Sequence, residues 1–162
     1  MNRRLLIVFL LGFSSGIPLS LIGSTLQAWF ADSGMSVLAT GALSLVGLPY
    51  AWRFFWGPVL DRYGLGAMGK RRSWIFAMQV LLLAGFNAMA WLNPISHPEL
   101  MAALALLLAF CSATQDLAID AHRTEYLLQR EHALGASMAV FGYRLALLLS
   151  GGLALIMAQH LG

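Results

Sequence analysis

The sequence predicts an all-helical integral membrane fold with five spans and a cytoplasmic N-terminus. Three observations lead there. Of 162 residues, 59% are hydrophobic and only 10% are charged, against about 25% charged in a soluble domain. So few polar side chains cannot cover a core with a wetted surface, whereas a bilayer accepts an apolar exterior. Five apolar stretches can be drawn, at residues 5–30, 37–59, 73–92, 100–119 and 135–161, each near the roughly 20 residues that cross a bilayer. The cations between them fall into alternate connections. Arg3 and Arg4 precede the first stretch, Arg62, Lys70, Arg71 and Arg72 follow the second, and Arg123 and Arg130 follow the fourth, while 31–36 and 93–99 contain no Lys or Arg. This is the positive-inside pattern. It assigns loops 60–72 and 120–134 to the cytoplasm, and an odd number of spans sends the C-terminus to the other side. The formal charge of +3 belongs to that sorting, and no nucleic-acid surface is read from it.

The first stretch opens like a signal peptide, with Arg3-Arg4 before Leu5 to Leu11, but the apolar run continues and no A-x-A site follows, so it reads as an uncleaved first helix. Gly12, Gly16, Ser20, Gly23 and Gln27 share one face at about 100° per residue. The small residues suit close helix packing, while Gln27 places a polar tip where a ligand could meet it. Pro18 removes a backbone hydrogen bond and predicts a kink. Such breaks are tolerated where they are buried or line a cavity.

The second stretch carries Tyr50, Arg53, Gly57 and Asp61 on one face. The third is plain, with Gln79 and Asn87 inside and Trp74 and Trp91 as interfacial anchors. A turn with Pro94 and Pro98 leads to the fourth, where Ser112, Asp116 and Asp120 repeat at i, i+4, i+8, bordered by Gln115 and Arg123. The connector 121–134 is amphipathic and predicts a short surface helix. The fifth stretch contains Gly142-Tyr143-Arg144 and Ser150-Gly151-Gly152.

A charge at mid-bilayer costs about 2.5–3.5 kcal/mol on insertion scales and normally faces the protein interior. Arg144 lies deep in the fifth stretch, Arg53 nearer the cytoplasmic end, and Asp116 about one turn deeper than Asp120. One reading is a central polar cavity in which Asp116, Gln115, Arg144 and Tyr143 face a polar substrate or relay a proton, with Asp116 favoured over Asp120 by depth alone. The other is a structural Asp116–Arg144 pair locking two helices. Cys111, alone in the chain, is a small apolar packing residue. His97, His122, His132 and His160 lie in loops or at the end, and no H-E-x-x-H or two-aspartate protease spacing occurs, so an intramembrane enzyme is not expected.

Gly57-x-x-x-Asp61-Arg62-x-Gly64, followed by Lys70-Arg71-Arg72, resembles motif A of the major facilitator superfamily. In physical terms, Gly57 lets a neighbouring helix approach, and Asp61 at a helix C-terminus needs a cation or a helix N-terminus to meet it. Arg62, Arg71 and Arg72 can supply that cation and form a conformational latch, or else serve topology alone. The usual pattern is interrupted by an insertion, Leu65 to Gly69. Further, Gly12-Phe13-Ser14-Ser15-Gly16-Ile17-Pro18-Leu19, Gly23 to Trp29, Phe110 to Asp116, Gly142 to Leu145 and Ser150 to Leu155 together resemble the AmpG-type muropeptide permeases of that superfamily along essentially the whole chain. The resemblance implies a bacterial inner-membrane symporter that imports anhydro-muropeptides for cell-wall recycling and, where the regulator is present, β-lactamase induction. It implies the proton gradient as energy source and no cofactor. The substrate and proton pathway read from the polar residues of the spans themselves comprises Asp116, Gln115, Asp120, Arg144, Tyr143, Gln27, Arg53 and Tyr50. A superfamily member has two six-helix bundles, so five spans are most of the N-terminal bundle, the C-terminal half is a missing partner, and transport by these residues alone is not expected. The alternatives are another organic-anion or acetyl-CoA-like carrier, or a non-transporting truncated membrane module.

Overall fold

The computed structural model describes residues 2–32, 34, 41, 43–64, 69–93 and 96–161, and the regular structure among them is helical. Helix α1 spans Arg3–Ser20, with the Asn2 side chain at its N-cap. Pro18 cannot donate to the Ser14 carbonyl, and the chain passes through a π-helical turn, Leu21–Thr25, into α2, Leu26–Asp32. The predicted disruption is thus a wider turn within one continuous helical span.

The second apolar stretch differs more. Its start, 37–40 and 42, lies outside the described residues, and the remainder is not a single helix. It runs as a 3-10 turn Leu43–Gly47, α3 Leu48–Trp52, a 3-10 turn Arg53–Phe55 and α4 Gly57–Arg62. Pro49 and Pro58 each sit in the first turn of a new helical piece, where a missing N–H costs nothing. Each proline therefore restarts the helix instead of interrupting it.

Helix α5 spans Lys70–Ala90, α6 Pro98–Tyr126 and α7 His132–Leu161. The basic run at 70–72 belongs to the first turn of α5. Residues 65–68 of the insertion lie outside the described residues, and its last residue, Gly69, takes a positive φ of 93° at the N-cap, a conformation that favours glycine. The connector forms no separate surface helix. Residues 121–126 extend α6, and only Leu127 to Glu131, including a 3-10 turn, separate it from α7. The chain closes so sharply here because Glu131 accepts from the Leu128 amide at 3.2 Å.

Among the described residues, four segments are long and apolar enough to cross a membrane: Arg3–Asp32, Lys70–Ala90, Pro98–Tyr126 and Gln129–Ala154. Helix α6 is central, burying Met101, Ala105, Leu108 and Ala109 against Ile22, Leu26, Met78 and Leu82. Helices α1 and α7 meet through small residues. A Cβ on Gly12 would sit 2.9 Å from the Ala139 Cα, and one on Gly16 would sit 2.6 Å from the Tyr143 carbonyl oxygen and 2.8 Å from the Ala146 Cβ. The outer surface is apolar, with Leu83 and Leu148 more than two-thirds exposed, as lipid contact requires and water does not tolerate over large areas.

Candidate functional site: a polar cavity and an arginine clasp

A cavity of about 540 Å³ opens between α1, the broken second stretch, α6 and α7. Its polar lining is Ser15, Tyr50, Arg53, Asp116, Asp120, Arg123 and Tyr143. Helical periodicity delivers Asp116 and Asp120 together from α6, and the glycine-mediated approach of α1 to α7 brings Ser15 and Tyr143 against them. Gly47 and Arg53 come from segments that are not α-helical, so irregular backbone occurs where it borders a cavity.

Asp116 is buried and accepts a hydrogen bond from the Ser15 hydroxyl. Arg53 lies within its electrostatic reach, as does Asp120. The cavity therefore sets one buried carboxylate against one guanidinium without a direct ion pair between them among the described residues, an arrangement with room for a charged or hydrogen-bonding guest. Asp120, at the more exposed end, pairs with Arg123 at 3.3 Å. The Tyr50 and Ser112 hydroxyls lie near each other, yet neither makes a hydrogen bond of ordinary geometry among the described residues.

Three predicted residues are elsewhere. Gln115 is one residue from Asp116 and hence about 100° round the helix. Its amide donates to the Ser14 hydroxyl at 3.4 Å, the same oxygen that accepts from Gln79 at 3.0 Å. It is glue between α1, α5 and α6 and does not line the cavity, and its buried Oε1 has no partner among the described residues. Arg144 follows Tyr143 and is turned to an exposed face of α7. It makes no ion pair among the described residues, so the expected Asp116–Arg144 lock is absent there. Gln27 is half-buried on α2, beyond the π turn and outside the cavity lining. Ser15 was visible in the sequence only as one of several small residues. Nothing in its spacing marked it as the partner of a carboxylate 101 residues away.

A second cluster forms at the cation-rich end. Arg71 reaches Asp61 at 2.6 Å and Glu125 at 3.0 Å. It thereby clasps the end of α4 and the start of α5 to the end of α6. Asp61 has the cationic partner its place at a helix C-terminus requires. Arg62 instead lies over the Tyr63 ring at 5.8 Å, and Lys70 reaches the Asp61 carbonyl at 3.5 Å. Gly57 is less constrained than expected, since a Cβ there would meet Leu117 at an ordinary 3.5 Å. Gly64 lies against Lys70. Glu125 is the member that sequence reasoning missed, hidden among the charges of the connector.

The profile of the family described as acetyl-coenzyme A transporter 1 matches residues 4–97. A protein named anhydromuropeptide permease from Escherichia coli (strain K12) is 46% identical over 156 residues, covering 96% of this chain and 32% of the relative. A Rickettsia conorii protein carrying the name AmpG 4 is 35% identical over 164 residues, covering 99% of this chain and 40% of the relative. The chain thus spans a third to two fifths of the length of these curated relatives. They are named as permeases or transporters, not as enzymes.

Proposed function

Since this chain belongs to the family described as acetyl-coenzyme A transporter 1 and is a multi-pass membrane protein, we propose that it contributes part of the N-terminal bundle of a secondary-active carrier importing anhydro-muropeptides across the bacterial inner membrane. In this reading the chain has five spans, with the broken second stretch as one of them, and the N-terminus is cytoplasmic. The rest of the carrier closes the cavity, and the proton gradient drives uptake by symport, with no cofactor. The observation that carries the reading is the 46% identity to the anhydromuropeptide permease over 96% of this chain, joined to a cavity whose Asp116 and Arg53 suit a proton and an anionic group respectively. Muropeptides carry carboxylates, which a guanidinium recognises well. An interior carboxylate in a membrane protein commonly marks a proton path.

The test is uptake of labelled anhydro-muropeptide in a bacterium lacking its own permease, comparing this chain with a version extended through its natural downstream frame. The extended version is expected to restore uptake, and its Asp116→Asn and Arg53→Gln variants to lose most of it while still inserting. Uptake unchanged in both variants rejects the site, and no uptake by an inserted extended chain rejects the substrate. The family description favours a second reading, a carrier for an acetyl-CoA-like anion. Competition of labelled muropeptide uptake by excess acetyl-CoA separates the two.

A further inference from the structure

The first turn of α5 holds three consecutive cations, Lys70, Arg71 and Arg72, where the helix dipole disfavours positive charge. Arg71 is neutralised by Asp61 and Glu125. Lys70 and Arg72 make no ion pair among the described residues. Both line a polar cavity of about 370 Å³, with His122 of α6 on its wall. A separate groove of about 310 Å³ shares Arg72 and His122 with that cavity and continues along Ile7, Leu11, Ile75 and Phe76. The chamber's charged lining is Lys70, Arg71 and Arg72 against Asp61 and Glu125, both of which Arg71 engages, so Lys70 and Arg72 leave it net cationic. It leads into a largely apolar channel between α1, α5 and α6, with Arg72 and His122 at the junction. A free anion would use the chamber and have no need of the channel. A lone hydrocarbon would use the channel and have no need of the cations.

We propose that this composite site holds one anionic phospholipid, its phosphate at Lys70, Arg72 and His122 and one acyl chain along Ile7, Leu11, Ile75 and Phe76. Basic pockets between membrane helices at the lipid headgroup level are suited to such headgroups. The lipid would complete the charge balance of the α5 N-terminus, next to the Arg71 clasp, in a cavity distinct from the one that Asp116 lines. The inference rests on the chain lying in a bilayer and is independent of what the carrier transports.

The experiment is native mass spectrometry of the full chain in mild detergent, titrated with dioleoyl-phosphatidylglycerol or dioleoyl-phosphatidylcholine. One tightly retained phosphatidylglycerol is expected, with phosphatidylcholine retained at least tenfold less. Lys70→Gln with Arg72→Gln, both on exposed side chains, should weaken phosphatidylglycerol about thirtyfold, from the loss of two interfacial cations. Leu11→Trp, which fills the groove and leaves the charges alone, should weaken it as well. Equal retention of the two lipids, or unchanged retention in the charge variant, overturns the proposal. If Leu11→Trp has no effect and millimolar inorganic phosphate displaces the adduct, the site is one for a free anion and the lipid assignment fails. Helix content by circular dichroism, matched to the unaltered chain, confirms that the variants compared are folded.

Discussion

Replacing Gly16 by alanine sets two effects of opposite sign against each other. In an exposed helix interior in water the change would stabilise by about 1 kcal/mol, because glycine loses more backbone freedom on folding. Here the new Cβ would stand 2.6 Å from the Tyr143 carbonyl oxygen and 2.8 Å from the Ala146 Cβ, where carbon atoms rest at about 3.5–4.0 Å. Helices α1 and α7 would have to part by nearly 1 Å, and a gap of that size forfeits roughly a quarter to a half of each contact along the seam. Overpacking of this kind costs about 1–3 kcal/mol. The net expectation for Gly16→Ala is a loss of about 1 kcal/mol and at most about 2, larger for the double variant with Gly12→Ala. The control is Gly23→Ala, on the same predicted face, where an added Cβ meets nothing within 4 Å. The assay is reversible unfolding in mixed micelles titrated with SDS. Gly16→Ala as stable as the unaltered chain, or a loss for Gly23→Ala of equal size, would refute the close-approach argument. Because Tyr143 lines the cavity through this seam, Gly16→Ala should also lower uptake by the extended carrier.

Arg71→Ala releases two mostly exposed acids at once, so the stability cost is expected to be modest, about 1 kcal/mol, and to shrink in 1 M salt; micelle unfolding at low and high salt measures both. Gln115→Met should be neutral or stabilising by up to about 1 kcal/mol, since it removes a buried acceptor that has no partner among the described residues together with one long hydrogen bond; a loss beyond about 2 kcal/mol by the same assay would mean that this oxygen is satisfied. Cys111 is buried, so a membrane-impermeant maleimide should leave it unlabelled until SDS unfolds the chain, a difference read by intact mass.

The clearest sequence signals were those whose physics is local or periodic. The sorting of Arg3, Arg4, Arg62, Lys70 to Arg72, Arg123 and Arg130 predicted that these loops share one end, and the pairs Arg4–Glu131 and Arg71–Glu125 place their elements together. The i, i+4 repeat put Asp116 and Asp120 on one face, and both line the cavity. The spacing Gly12-x-x-x-Gly16 marked a seam between helices without saying which helix would fill it. Periodicity is less informative about residues one step apart: Gln115 and Arg144 have polar neighbours in the cavity but are themselves turned away from it.

By itself, then, the sequence determined that four of these segments are apolar helices long enough for a bilayer among the described residues, with the cations of their connections gathered at one end, because hydropathy and charge act on each segment independently of its neighbours. Only the tertiary structure decided which side chains meet. Ser15 reaches Asp116 because α1 packs beside α6, although 101 residues separate them in the chain. Arg71 selects Glu125 because α6 runs on to Tyr126. The second stretch is broken beside the cavity, where Pro49 and Pro58 restart it. Each of these depends on distances between segments far apart in the chain, and such distances are set by packing.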